Sequence, residues 1–321
     1  MNNILLFFDD DKGNGNAIVE PVGGMDMSFT GSLPSGCSFA RADTNETYFN
    51  SSGVLSAAAI HTPCFDCDPS TLVLRGIQIQ PQRVNRCPYS TLSSGWGNSG
   101  GSFGTSGTSL DGTTNARLFV CSTANSTHHT YKNVSVSYGT VYTISAYVKA
   151  NGYNYIGISA AASFANGVWA FFNLATGTYV SSGAWGTGSL SSYSITAVRD
   201  GWYRITVTGS QSSASEIQAA LCPAAGSVNT PGTTWAGDGS SGAYVYGVQL
   251  EAGAQATSYI PTDATMVTRA AAELSFTIPS DTSALRYVFD NDSTQDVSVS
   301  AGSYTVPTNL NRPWIKRIYN V

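Results

Sequence analysis

Two overlapping G-x-S-x-G patterns, Gly97-Asn98-Ser99-Gly100-Gly101 and Gly100-Gly101-Ser102-Phe103-Gly104, have the spacing of a serine nucleophile. A nucleophile elbow needs a strand-to-helix turn in an α/β sheet, with an acid and a histidine downstream. Both copies lie in a Gly/Ser run, where composition alone makes the pattern, and nothing places His128 or His129 beside either serine. Paired carboxylates would do glycosidase chemistry, with Asp9, Asp10, Asp11, Glu20, Asp66, Asp68 and Glu251 as candidates. Most sit in turns or beside glycine, where Asp is favoured for backbone hydrogen bonding. A glycan depolymerase built as a long β-helix would also show a strand period, and none is present. No enzyme activity is expected.

Metal chemistry is equally thin. Cys64 and Cys67 form a C-x-x-C, half of a zinc site, and His61 is close by, but no second pair follows. The six cysteines (Cys37, Cys64, Cys67, Cys87, Cys121, Cys222) are too scattered for a disulfide scaffold and read as reduced thiols. Asp9-Asp10-Asp11 with Asn14 and Asn16, and Asp290-Asn291-Asp292, offer oxygen ligands without the order of an EF-hand. Neither a metal nor any cofactor is expected.

Aromatic residues are the better binding candidates, because sugar rings stack on the faces of Trp and Tyr. In Val168-Trp169-Ala170-Phe171-Phe172-Asn173-Leu174, alternation puts Val168, Ala170, Phe172 and Leu174 on one face and Trp169 and Phe171 on the other. Trp185 lies in a glycine-rich loop, and Tyr153 and Tyr155 follow an Asn151-Gly152 turn. Aromatics on the non-core face of a sheet need a cover: another subunit, a glycan or a loop. At the C-terminus Arg312, Trp314, Lys316 and Arg317 form the one basic cluster. Three charges in an acidic chain bind nucleic acid poorly, so the cluster reads as a docking element, or as a strand added to a neighbour's sheet edge.

These residues must be held by β structure. Charged residues make up 11% of the chain, against about 25% in an average soluble protein. Gly (33), Ser (43) and Thr (33) fill about a third of it, and Lys occurs four times. Long solvent-facing helices need more Glu, Lys and Leu than this, whereas 17 Tyr, 13 Phe and 6 Trp argue against disorder. A net charge of −5 excludes polyanion binding by bulk charge, and no apolar run is long enough to cross a bilayer. The N-terminus has five apolar residues, Ile4 to Phe8, without a basic start or cleavage site; it reads as a strand or anchoring arm and not as a signal peptide.

Period-two alternation marks strands at Tyr142 to Lys149, Val168 to Leu174, Trp202 to Thr208 and Ala243 to Leu250. Turns are expected at Asn151-Gly152, Asn166-Gly167, Thr176-Gly177, Asp200-Gly201 and Asp238-Gly239. Ser93 to Thr114 reads as a linker or loop, Thr265 to Glu273 as a helical turn or two, and the residues beyond as a small β-meander. The expectation is an all-β chain: an N-terminal attachment region (1–90), an antiparallel jelly-roll sandwich (91–262) and a small C-terminal β-domain (263–321).

Three stretches resemble a family of tailed-bacteriophage virion proteins of the tail-fibre, head-fibre or decoration type, which carry a carbohydrate-binding-module-like domain. The first runs from Phe39-Ala40-Arg41-Ala42-Asp43 through Tyr48-Phe49, Gly53-Val54-Leu55, Pro63, Phe65-Asp66 and Asp68-Pro69 to Leu74-Arg75-Gly76 and Arg83-Val84-Asn85. The second is Asp200-Gly201-Trp202-Tyr203-Arg204. The third, long and ordered, runs from Gly247-Val248-Gln249-Leu250-Glu251-Ala252-Gly253 to Thr257-Ser258-Tyr259-Ile260-Pro261-Thr262 and Thr268-Arg269-Ala270-Ala271. Gln80-Pro81-Gln82 departs from the family pattern of two glutamates and an alanine, so a local contact is expected to differ. The resemblance implies a non-enzymatic protein on the virion surface, assembled in the bacterial cytoplasm, with other virion proteins as partners. It further implies a homotrimer and weak, multivalent contacts with host surface glycan. Under a dedicated-adhesin reading, Trp169, Phe171 and Trp185 would hold the polysaccharide.

Overall fold

A computed structural model describes residues 24–226 and 228–321. The expected arm at Ile4 to Phe8 and the acidic run at Asp9 to Asp11 lie outside the described residues. Among those described the protein is all-β, with no helix, and every strand ladder is antiparallel.

The four alternating segments form the strands Tyr142–Asn151, Asn166–Asn173, Trp202–Ser210 and Gly242–Ala252. They lie in two six-stranded sheets that face each other. Ile144, Ala146, Val148, Ile205, Val207, Val245 and Leu250 from one sheet pack against Ile156, Ile158, Val168, Ala170, Phe172 and Leu221 from the other. Alternation is broken once, in Gly242–Ala252. Gly247 has a φ of 62° and sits at a bulge that lets both Val245 and Val248 reach the core while Tyr246, Gln249 and Glu251 face outward. A Cβ there would also press on the Tyr147 and Tyr259 rings at 3.1 and 3.4 Å.

The Ser93 to Thr114 run holds more order than a linker. Its strands Gly97–Ser99 and Gly101–Phe103 close the edge of one sheet each. Gly100, at a φ of 61°, turns the corner between them where a Cβ would meet the Thr127 carbonyl oxygen at 2.1 Å. The turn expected at Asn166-Gly167 falls earlier: Ser163 and Phe164 adopt φ of 48° and 58°, and Asn166 already pairs with Ala162.

Outside the sandwich, the expected first and third regions interleave. Trp314–Asn320 pairs with Ala284–Phe289, with Leu74–Gln78 and with Asp26–Ser28. Ser38–Ala40 pairs with Glu273–Ile278. One core joins Met27, Phe29 and Ile77 to Leu285, Tyr287, Phe289, Ile315 and Ile318, so chain order does not divide this part in two. The C-terminal tail is an interior strand of this sheet, and its backbone is committed within the chain. The helical turn expected near Thr265 is absent: Val267–Arg269 is a strand paired with Arg83–Asn85. That register sends Arg269 inward, to a buried carboxylate.

A cleft between the sandwich and the interleaved sheet

Period two along Trp202–Ser210 turns Ile205 and Val207 into the sandwich core and leaves Trp202, Arg204, Thr206 and Thr208 on the outer face. The neighbouring strand presents Ser145 and Tyr147 on that face. Trp202, Tyr147, Tyr246 and Tyr259 form a buried aromatic seat there, on which Phe49 and Leu55 of the N-terminal region pack. Phe49 meets Tyr147 edge-on, with ring centroids 6.2 Å apart.

Beside this seat is a cleft of about 450 Å³, within the ~300–1,000 Å³ range that holds small ligands. One wall comes from the interleaved sheet. Asp66 is buried, accepts the Phe49 backbone N–H at 2.7 Å and faces Arg75 Nη1 at 3.3 Å. Arg75 also donates to Asp68 at 2.7 Å, and its guanidinium lies 4.6 Å over the Trp314 ring. Trp314 Nε1 donates to Gln78 Oε1 at 3.3 Å. Burial pushes the Asp66 carboxyl up to about 6, against the pull of the Phe49 N–H and of Arg75. The opposite wall is Arg204, 5.4 Å over the Tyr147 ring, with Nη2 donating to Thr257 O at 2.6 Å and Ser145 Oγ at 3.1 Å. Its Nε is buried without a hydrogen-bond partner. Tyr193 lines the rim and stacks on Tyr179, centroids 4.3 Å apart and planes 16° off parallel; the two rings are 39% and 44% exposed.

Behind the cleft runs a buried polar network. Gln78 Nε2 donates to Glu46 Oε1. Glu46 Oε2 is 3.6 Å from Arg41 Nη1 and 3.9 Å from Arg269 Nε. Arg269 Nη1 donates to Gln80 Oε1 at 2.5 Å and Ser258 Oγ at 2.6 Å. Glu251 accepts from Thr257 N–H at 2.8 Å and from Gln249 Nε2 at 2.7 Å. Gln80 thus meets Arg269 with a neutral amide oxygen.

Of the residues singled out in the sequence, Trp314 and the carboxylate candidate Asp66 line the cleft and Asp68 pairs with Arg75 on its wall, whereas the aromatic candidates lie elsewhere. Trp169 and Phe171 do face away from the sandwich core, but they are 8% and 0% exposed. A satellite cluster with Ala224 and Val228 covers them, flanked by Tyr155, Trp185 and Trp235. Trp169 and Trp185 sit 5.7 Å apart, and Tyr153 packs edge-on against Trp235 at 5.1 Å. Of the three covers considered, the chain's own side chains, Ala224 and Val228 with Trp185 and Trp235, are the one observed, which leaves no open platform at Trp169 or Phe171. The basic tail is neutralised within the chain: Arg312 pairs with Asp290, Lys316 with Asp292 at 2.7 Å and Arg317 with Asp26. Asp290 and Asp292, weighed as calcium ligands, are therefore held by cations.

The two serine patterns lie away from the cleft. Ser99 Oγ is 3.2 Å from Thr127 Oγ1, and His128 directs Nδ1 to Gly100 O and Nε2 to Trp235 O at 2.9 Å. Burial pushes His129 down to about 4, beside Tyr131 and Phe164. Cys64 and Cys67 are buried free thiols, Cys64 pushed up to about 12 by burial. Among the described residues no three His, Cys, Asp or Glu side chains group as metal ligands.

Arg75 and Arg204 were missed as site residues, although both fall in the stretches that carry the phage-protein resemblance; Asp66 was considered only as a glycosidase carboxylate. Tyr147 and Tyr193 carry no local signal. No family model matches the chain, and no curated protein matches its sequence.

Proposed function

We propose that this protein is a non-enzymatic structural component on the outside of a tailed-bacteriophage virion, a head fibre, capsid decoration or tail fibre, that aids host adsorption through weak glycan contacts. One observation carries the reading. The three phage-like stretches, far apart in sequence, meet in the Glu46–Arg269–Ser258 network and on the walls of the cleft beside it. A signature that builds one joint between two β bodies is what a shared architecture requires; fold alone would not assign the role.

The finer fold under this reading is a jelly roll of carbohydrate-binding-module type, supported by a chain that crosses repeatedly between the two sheets. By analogy with fibres and spikes the unit is a homotrimer, and many copies turn weak contacts into firm attachment. A second reading, a dedicated polysaccharide adhesin, is favoured by the Tyr193–Tyr179 stack at the cleft rim and moves the binding site from Trp169 to the cleft. Cryo-EM of intact particles, with subunit counts at each site, tests both. Copies spread over the capsid support decoration or head fibre, copies confined to the tail support a tail fibre or adhesin, and density at neither overturns the proposal.

A further inference from the structure

We infer that the cleft between Trp314 and Arg204 binds a saccharide that carries a carboxylate, such as a uronic acid residue within a polysaccharide; this rests on the glycan-contact reading above. The lining combines what sugars use. Trp314 and Tyr193 supply ring faces or edges, and Asp66, Arg75 and Gln78 supply acceptors and donors. Arg204 selects the acidic class. On the facing wall Asp66 and Asp68 share one cation, Arg75, at 3.3 and 2.7 Å, so Arg75 is fully engaged and Arg204 is the cleft's cation without a carboxylate partner. Arg204 has no carboxylate within ion-pair distance among the described residues, and its Nε lacks a hydrogen-bond partner. Its other contacts are neutral: Thr257 O, Ser145 Oγ and the Tyr147 ring. A guanidinium held over a ring at the wall of a partly closed cleft, without a counter-charge, attracts an anion, and a carboxylate matches its planar donors.

The arrangement also orients the ligand. Arg204 and the Trp314–Arg75 stack come from opposite bodies, so a ring bound between them touches the sandwich through its carboxylate and the interleaved sheet through its face and hydroxyls. The exposed Tyr193–Tyr179 stack at the rim offers a second platform to the next residue of the chain.

The test uses the full-length protein and a pair of oligosaccharides, one a uronate oligomer and the other its carboxyl-reduced, neutral counterpart. Binding is followed through the Trp314 indole N–H resonance and by titration calorimetry. The expected result is that the uronate shifts the Trp314 resonance, that the neutral oligomer binds about tenfold more weakly, and that Arg204→Gln removes this difference. Tyr193→Ala, an exposed change, weakens both ligands at an unchanged melting temperature and serves if Arg204→Gln does not fold. Equal binding of the two oligomers at the Trp314 resonance overturns the acidic-sugar inference while leaving a glycan site. Absence of binding by either at millimolar concentration overturns the glycan-contact reading as well.

Discussion

Arg269 and Glu46 meet inside the protein with both side chains wholly withdrawn from solvent, Nε 3.9 Å from Oε2. Arg41, equally buried, approaches the same carboxylate at 3.6 Å. Burial pulls the Arg269 guanidinium below its ordinary value, and Glu46 opposes that pull. Such a group is expensive to bury, and its worth lies in fixing one arrangement of the strands around it.

Removing Glu46 leaves the Arg41 and Arg269 guanidiniums without their shared carboxylate in a dry site. Glu46→Gln should therefore destabilise by about 3–5 kcal/mol, read as a lower urea midpoint. A loss below about 1 kcal/mol would mean that water reaches the network.

Asp66 gives a pH dependence of defined sign. Its carboxyl is pushed up to about 6 in the folded protein by burial, so the folded state holds the proton more tightly than the unfolded chain. Its contribution to stability is full below the unfolded value near 4 and is lost as pH rises through 6, by up to about 3 kcal/mol. His129, pushed down to about 4, acts oppositely: its neutral folded form costs stability as pH falls from about 6.5. Asp66→Asn should remove the falling component and leave stability rising with pH over this window. Denaturant titrations of both proteins between pH 4 and pH 7 check it, and identical pH profiles would refute it.

Trp169→Ala should cost about 3–5 kcal/mol, since the ring is 8% exposed and packs on Trp185. Glycan retention, compared at equal folded concentration, should not change. A variant that keeps its melting temperature but loses glycan would restore Trp169 as a binding surface.

What the sequence made legible was local. Tyr142 to Lys149 alternates because one face is core, and such a pattern survives in any sandwich. The pairing of Trp314 with Gln78 joins residues 236 positions apart, and no local period encodes it. The Arg269 strand was hidden because the Ala270-Ala271-Ala272-Glu273 run beside it favours helix locally, and tertiary pairing with Arg83–Asn85 decided it. Trp169 and Phe171 were placed on the correct face, but the cover at Val228 comes from a loop without a strand pattern. The cleft needed both bodies at once. Arg75 and Arg204 could be found only as parts of ordered motifs, and Asp66 was legible as a carboxylate but not as part of a cleft wall.

The placement of this chain on the outside of a virion is tested most directly by surface labelling of gradient-purified phage particles with a membrane-impermeant amine or phenol reagent, followed by mass spectrometry. The proposal requires the chain at a fixed number of many copies per particle, labelled on exposed residues such as Tyr179, Tyr193 and Tyr138 while the particle is intact. A chain found only in the soluble lysate, or one labelled only after the particle is broken open, would contradict it.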